Sequence, residues 1–166
     1  MLPEYPYPVG WDDAYAMVSW VSEHYRRLGV DPARIFVGGD SAGGNIANAV
    51  AMMARDRGAF TLTGLVLAYP VLDMTSPWSE FIFANPAAAQ TPYATPKNGS
   101  LDGMPATLLL VAENDGLRPQ GEEYAELLSK AHVSIDFEVV SGTSHGFLAT
   151  HAELRGRIGK FIQSAR

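Results

Sequence analysis

Arg34-Ile35-Phe36-Val37-Gly38-Gly39-Asp40-Ser41-Ala42-Gly43-Gly44-Asn45 is a short apolar run that breaks into a glycine-rich turn and leads on into a helix-like segment. The apolar residues of 34–38 are contiguous rather than spaced along one helical face, so this stretch reads as a buried strand. Asp31-Pro32 marks a turn before it. Downstream, Asn45 to Arg57 carries Ile46, Ala49, Val50 and Met53 at helical spacing, with Gly58 placed to stop the helix. Strand, tight turn and helix with a serine at the apex is the order of a nucleophile elbow, G-x-S-x-G. In such an elbow the serine sits on a strained turn, and the residues two before and two after it must be small. Ser41 is therefore the candidate nucleophile, framed by Gly39, Asp40, Gly43 and Gly44.

Working outward, Gly64-Leu65-Val66-Leu67-Ala68-Tyr69-Pro70 and Ala106-Thr107-Leu108-Leu109-Leu110-Val111-Ala112 lack polar alternation, as do strands buried on both faces. Ile135 to Val140 alternates and is expected as a fourth strand nearer an edge. Helical segments are expected at Asp12–Leu28, stopped by Gly29, at Gln120–Lys130 and at Phe147–Ile162. Strands alternating with helices predict an α/β fold, a mostly parallel sheet covered on both faces. No internal repeat or second domain is evident, so 1–166 is expected to be one domain. Residues 71–104 form an irregular, lid-like insertion whose apolar cluster is Trp78, Phe81, Ile82 and Phe83. Docking of that cluster onto the core and lining of an acyl pocket are both open readings.

Composition narrows the function classes. With 47% hydrophobic and 18% charged residues the chain can bury a sizeable core, and a net charge of −6 without a basic run argues against nucleic acid as a partner. There are no cysteines, which excludes disulfides, zinc–thiolate sites and a cysteine nucleophile. The four histidines, 24, 132, 145 and 151, form no close i, i+4 pair, so neither a metal nor any other cofactor is expected. The first residues lack the basic start and apolar centre of a secretory signal, and no apolar run reaches membrane-spanning length. A cytoplasmic location is the expectation.

A serine hydroxyl is a weak nucleophile at neutral pH. It needs an imidazole to take its proton and a carboxylate to fix that imidazole's tautomer. Asp115 lies just past the third expected strand and His145 just past the fourth, giving the order Ser, acid, His at successive strand ends. Glu113 is an alternative acid, and Asp73 a weaker one because it follows a different strand. His24, His132 and His151 fall in or beside helices, whereas His145 stands in a glycine-flanked loop.

Taken together, Gly39-Asp40-Ser41-Ala42-Gly43-Gly44-Asn45, Asp115 in Glu113-Asn114-Asp115-Gly116-Leu117-Arg118, and His145-Gly146-Phe147 resemble the hormone-sensitive lipase family of α/β-hydrolases. Pro3-Glu4-Tyr5-Pro6-Tyr7-Pro8 with Asp12-Asp13-Ala14 and Trp20 is similar to the segment that precedes the elbow in that family. The resemblance implies Ser41 as nucleophile, His145 as general base and then acid, Asp115 as its orienter, and the Ala42 backbone N–H as an oxyanion donor. It also implies a His-Gly-Gly-Gly loop upstream of the elbow. Residues 1–166 contain no such stretch and resemble the C-terminal catalytic half, with the N-terminal strands and cap missing or reduced. The expected activity is hydrolysis of short-chain acyl or aryl esters, a small-molecule substrate class. A fragment with little activity, or a non-catalytic binding protein on the same fold, are the other readings. The strand at 35–38 is expected to have an unpaired edge, covered by a second copy of the chain or by another edge-covering partner.

Overall fold

A computed structural model describes residues 4–75 and 81–164. The elements in chain order are α1 (Val9–Glu23), α2 (Tyr25–Leu28), β1 (Phe36–Asp40), α3 (Ser41–Arg57), β2 (Gly64–Ala68), β3 (Ala106–Asn114), α4 (Arg118–Lys130), β4 (Ile135–Ser144) and α5 (Ala152–Ser164). The four strands form a single parallel sheet in the order β1-β2-β3-β4.

Side-chain alternation along each strand divides the core into two layers. Leu65, Leu67, Leu109 and Val111 face α3 and α4, where they meet Ala47, Ala51, Tyr124 and Leu128. Val66, Ala68, Leu108, Leu110 and Ala112 face the other way, onto Phe147 and the α5 residues Leu154 and Phe161. Helices thus cover both faces, which is why β2 and the Leu108–Ala112 stretch of β3 are apolar. On its outer side α3 carries a third apolar layer: Ala49 and Met53 pack with Trp11 of α1 and with Val71, Met74, Ile82, Phe83, Ala89 and Ala94.

Much of the described part of the expected insertion packs in that third layer, while Leu72, Leu101 and Met104 join the core between the sheet and α3 and α4. The insertion's described residues form short 3-10 turns at 81–82, Pro86–Gln90 and Pro96–Asn98 and are otherwise irregular. Ile82 and Phe83 are buried, Phe81 is exposed, and Trp78 lies outside the described residues. Its polar backbone is satisfied by specific side chains: Gln120 accepts from the Leu72 and Asp73 N–H groups, and Thr95 accepts from Met74 N–H while donating to the Ala89 carbonyl.

Element ends differ from the sequence reading for local reasons. β1 runs on to Asp40 because Gly38, Gly39 and Asp40 pair with Val66, Leu67 and Ala68. β4 extends to Ser144 across an irregularity opposite Ala112–Asn114. Gly146 takes φ +84°, so Phe147–Ala149 forms a 3-10 turn and α5 begins only at Ala152. Among the described residues β1 has no neighbour on its outer edge. A groove of about 330 Å³ lies between β1 and β2, at Phe36, Val66 and Ala68, on one side and Leu148, Ile158 and Ile162 on the other.

Candidate active site

The C-terminal ends of all four strands converge on one place, which in a parallel sheet is where loops gather and ligands bind. Ser41 directly follows β1, Tyr69 follows β2, Asp115 follows β3 and His145 follows β4. Ser41 opens α3 with φ +51°, a left-handed backbone that costs a non-glycine residue about 1–3 kcal/mol and occurs preferentially at functional turns. The turn closes because Gly39 lacks a side chain: a Cβ there would lie 2.2 Å from the Gly43 carbonyl oxygen. Gly44 is also constrained, since its Cβ would meet that of Pro70 at 2.8 Å. Gly43 is not, because a Cβ on it meets nothing within 4 Å. The requirement for a minimal residue expected at 39 and 43 therefore falls on 39 and 44, since the helix turns position 43 outward.

The structure brings Ser41, Asp115 and His145 together. His145 Nε2 lies 2.9 Å from Ser41 Oγ, and His145 Nδ1 lies 2.7 Å from Asp115 Oδ2. The other Asp115 oxygen accepts the Leu117 N–H at 2.9 Å, which fixes the carboxylate's rotation. The Asp115 side chain is only 7% exposed, whereas that of His145 is 43% exposed. A buried carboxylate at Nδ1 selects the tautomer with its proton there, leaving the Nε2 lone pair facing the serine hydroxyl. That arrangement can remove the hydroxyl proton as the oxygen attacks an electrophilic carbon, and hold the resulting imidazolium beside Asp115.

The rival groups have other tasks. Glu113 accepts the Gly142 N–H at 2.7 Å and the Ser141 hydroxyl at 3.2 Å, bracing the loop that carries His145. The Gly142 bond, aided by Ser141, holds its carboxyl below the usual range. Asp73 is paired with Lys97 at 2.9 Å. His24 stacks on Trp20, His132 follows α4 in a left-handed turn, and His151 sits against the Phe147 carbonyl just ahead of α5. Among the described residues no three His, Cys, Asp or Glu side chains are placed to hold a metal ion.

Beside Ser41, Ala42 occupies the first turn of α3, where backbone N–H groups have no partner within the helix and the helix dipole favours negative charge. Ala42 also lines a cavity of about 650 Å³ whose walls are Val9, Trp11, Ile46, Met74 and Ile82. This is the size and character of a site for a small, largely apolar molecule.

Two contributors escape sequence reading. Asn45 is fully buried in the first part of α3; it accepts from Trp11 Nε1 at 2.9 Å and donates to the Val71 and Ala94 carbonyls at 2.9 and 2.8 Å. It thereby ties α1 and the third layer to the helix that carries Ser41. Tyr69 hydrogen-bonds Asp40 and lies against His145. Asn45 closes the elbow motif and Tyr69 ends an apolar run, but nothing local announces partners that are tens of residues away.

Comparison with known proteins shows the family and the fold. Residues 1–83 and 77–149 match the model of a family described as alpha/beta hydrolase fold. The chain belongs to this α/β-hydrolase family. It is 36% identical to carboxylesterase NlhH of Mycobacterium tuberculosis over 174 aligned positions, covering 89% of this chain and 54% of that protein. With esterase LipI of the same organism it shares 34% identity, covering 95% of this chain and 59% of LipI. The structure superposes on a hyperthermophilic esterase from the archaeon Pyrobaculum calidifontis with a TM-score of 0.90 and 34% identity, over 98% of this chain and 62% of that one. Carboxyl esterase 2 of the fungus Tuber melanosporum gives 0.93 and 30%, over 99% and 65%. The α/β-hydrolase chain thus spans between about half and two thirds of the length of these relatives. Among its described residues no helix is long and apolar enough to cross a membrane.

Proposed function

We propose that this α/β-hydrolase carries the catalytic centre of a serine carboxylesterase acting on short-chain acyl or aryl esters of small apolar alcohols. The observation that carries the reading is the continuous hydrogen-bonded line from Ser41 Oγ through His145 to Asp115. In the proposed reaction His145 Nε2 takes the Ser41 proton as Oγ attacks the ester carbonyl carbon. His145 returns that proton to the departing alkoxide oxygen, leaving an acyl-serine. A water molecule, deprotonated by the same nitrogen, attacks the acyl carbon and releases the acid and free Ser41. Asp115 keeps the imidazole in the required tautomer and balances its transient positive charge. The cavity beside Ala42 suits the apolar part of the substrate, and the esterase names of the relatives support the bond type.

Ala42 N–H is the proposed oxyanion donor within these residues. We further place the protein in the cytoplasm and propose that the open edge of β1 is covered by a second copy of the chain or by another edge-covering strand. Monomeric scattering, with the β1 amides exchanging freely, would argue against any such cover. The esterase reading is tested with a chromogenic short-chain ester. Hydrolysis that disappears in Ser41→Ala supports it, and hydrolysis that survives that substitution refutes it.

A further inference from the structure

We infer that Tyr69 is a positioning residue, anchored by Asp40, that fixes the plane of the His145 imidazole in front of Ser41. The inference rests on the Ser41–His145–Asp115 reading above and adds to it a fourth side chain from the one strand end that reading does not use.

Hydrogen bonds at Nδ1 and Nε2 hold two points of the imidazole but leave the ring free to swing about the line joining them. With 43% of its side chain exposed, His145 has solvent on much of its surface. Tyr69 supplies a wall: its ring centroid is 4.8 Å from that of His145, inclined by 58°. That wall is itself fixed. Phe147 packs against Tyr69 at 4.7 Å with an interplanar angle of 81°, the phenol donates to Asp40 Oδ2 at 3.1 Å, and Tyr69 is only 3% exposed. Burial, and then the charge of Asp40 and its hydrogen bond, push the phenol above its ordinary value, so it is a protonated donor at neutral pH.

Backbone strain marks the same residue independently. Tyr69 adopts φ +36°, which for a bulky side chain is a clear outlier and persists only where the surroundings impose it. The turn it makes clasps the elbow at three points. The phenol reaches Asp40 immediately before Ser41, Pro70 rests on Gly44, and Val71 N–H donates to the Ser41 carbonyl at 3.0 Å. The end of β2 is therefore shaped to hold the nucleophile's turn and the base's ring in one frame. The charged and titratable groups facing His145 or its wall are Asp115 from the end of β3, Asp40 from β1 and Tyr69 itself, with Glu113 bracing the loop behind.

The test compares Tyr69→Phe, Tyr69→Leu, Asp40→Ala and the double variant Tyr69→Phe/Asp40→Ala, with Ser41→Ala as reference. It reads hydrolysis of the chromogenic ester and the rate of covalent labelling by a serine-directed phosphonate. Tyr69→Phe and Asp40→Ala remove the two ends of one tether, so each should lower kcat by about three- to tenfold, and the double variant by no more than either alone. Tyr69→Leu removes the wall as well and should lower kcat by roughly thirty- to a hundredfold, the scale of a small misplacement of a catalytic group. KM should change less than about twofold, and labelling should slow in proportion to kcat. If Tyr69→Leu fails to fold, the Phe and Asp40 variants still decide. Wild-type kcat and labelling in both, multiplicative losses in the double variant, or a loss confined to KM would each overturn the positioning role. Activity that persists in Ser41→Ala would instead overturn the esterase reading beneath it, so the two failures are distinguishable.

Discussion

Alanine at Gly39 and alanine at Gly43 have opposite expected outcomes, although a G-x-S-x-G pattern treats the two glycines alike. At 39 the added Cβ would sit 2.2 Å from a backbone carbonyl oxygen that cannot turn away, so the turn must open. A loss of about 3 kcal/mol or more is expected. At 43 the Cβ projects into open space from a helical backbone, so removal of glycine's excess chain entropy should raise stability by up to about 1 kcal/mol. Chemical denaturation of the two variants checks both signs. For the acid, Asp115→Asn keeps the shape but offers an N–H to Nδ1 and favours the wrong tautomer. Ester hydrolysis should drop by roughly four orders of magnitude while denaturation shows a folded protein. Glu113→Gln should keep far more activity, because Glu113 braces the loop rather than touching His145. The sequence sets Ser41, Asp115 and His145 just past expected strands, and the structure brings their side chains into one hydrogen-bonded line. Nothing in the sequence marks Tyr69, because its role depends on a positive φ and on partners from other strands.

Elements were legible where burial is two-sided. β2 and β3 meet α3 and α4 on one face and α5 on the other, so their sequences admit almost no polar residue. Their ends were less legible, because pairing with a neighbour rather than local preference decides where a strand stops. β1 continues through two glycines because β2 lies beside it. The position of the 81–104 segment was the least readable, since it has little regular structure and owes its place to side chains of other elements. Asn45 is the strongest of these links. Asn45→Leu would strand the Trp11 indole N–H and the Val71 and Ala94 carbonyls in the interior. With roughly 1–3 kcal/mol for each buried group left unpaired, a loss of at least about 3 kcal/mol is expected. Thermal or urea unfolding measures it, and hydrogen exchange should show α1 and 81–95 loosening first.

At the scale of the molecule, one ion pair links the outer layer to the chain's pH response. Burial works against the Asp73 carboxylate, but the Thr75 hydroxyl and Lys97 outweigh it and hold its pKa below the ordinary value. Lys97 is held above its own, chiefly by its bond to Asp73. A depressed carboxylate stabilises the fold above its unfolded pKa and ceases to as pH falls through the folded value. A raised lysine stabilises below its unfolded pKa and ceases to as pH rises through the folded one. The pair therefore contributes across the middle of the pH range. Asp73→Asn should cost up to about 1 kcal/mol at neutral pH, with both side chains partly exposed. The gap between variant and wild type should close in acid below the folded Asp73 pKa. The same global fold brings a serine, an aspartate and a histidine, 30 to 104 residues apart along the chain, within hydrogen-bonding reach. Stoichiometric reaction with a serine-directed phosphonate, located by peptide mass spectrometry, tests that arrangement most directly. One equivalent should be found on Ser41, at a rate at least about a hundredfold slower in His145→Ala. No labelling, labelling elsewhere, or a rate that ignores His145 would contradict a histidine-activated Ser41.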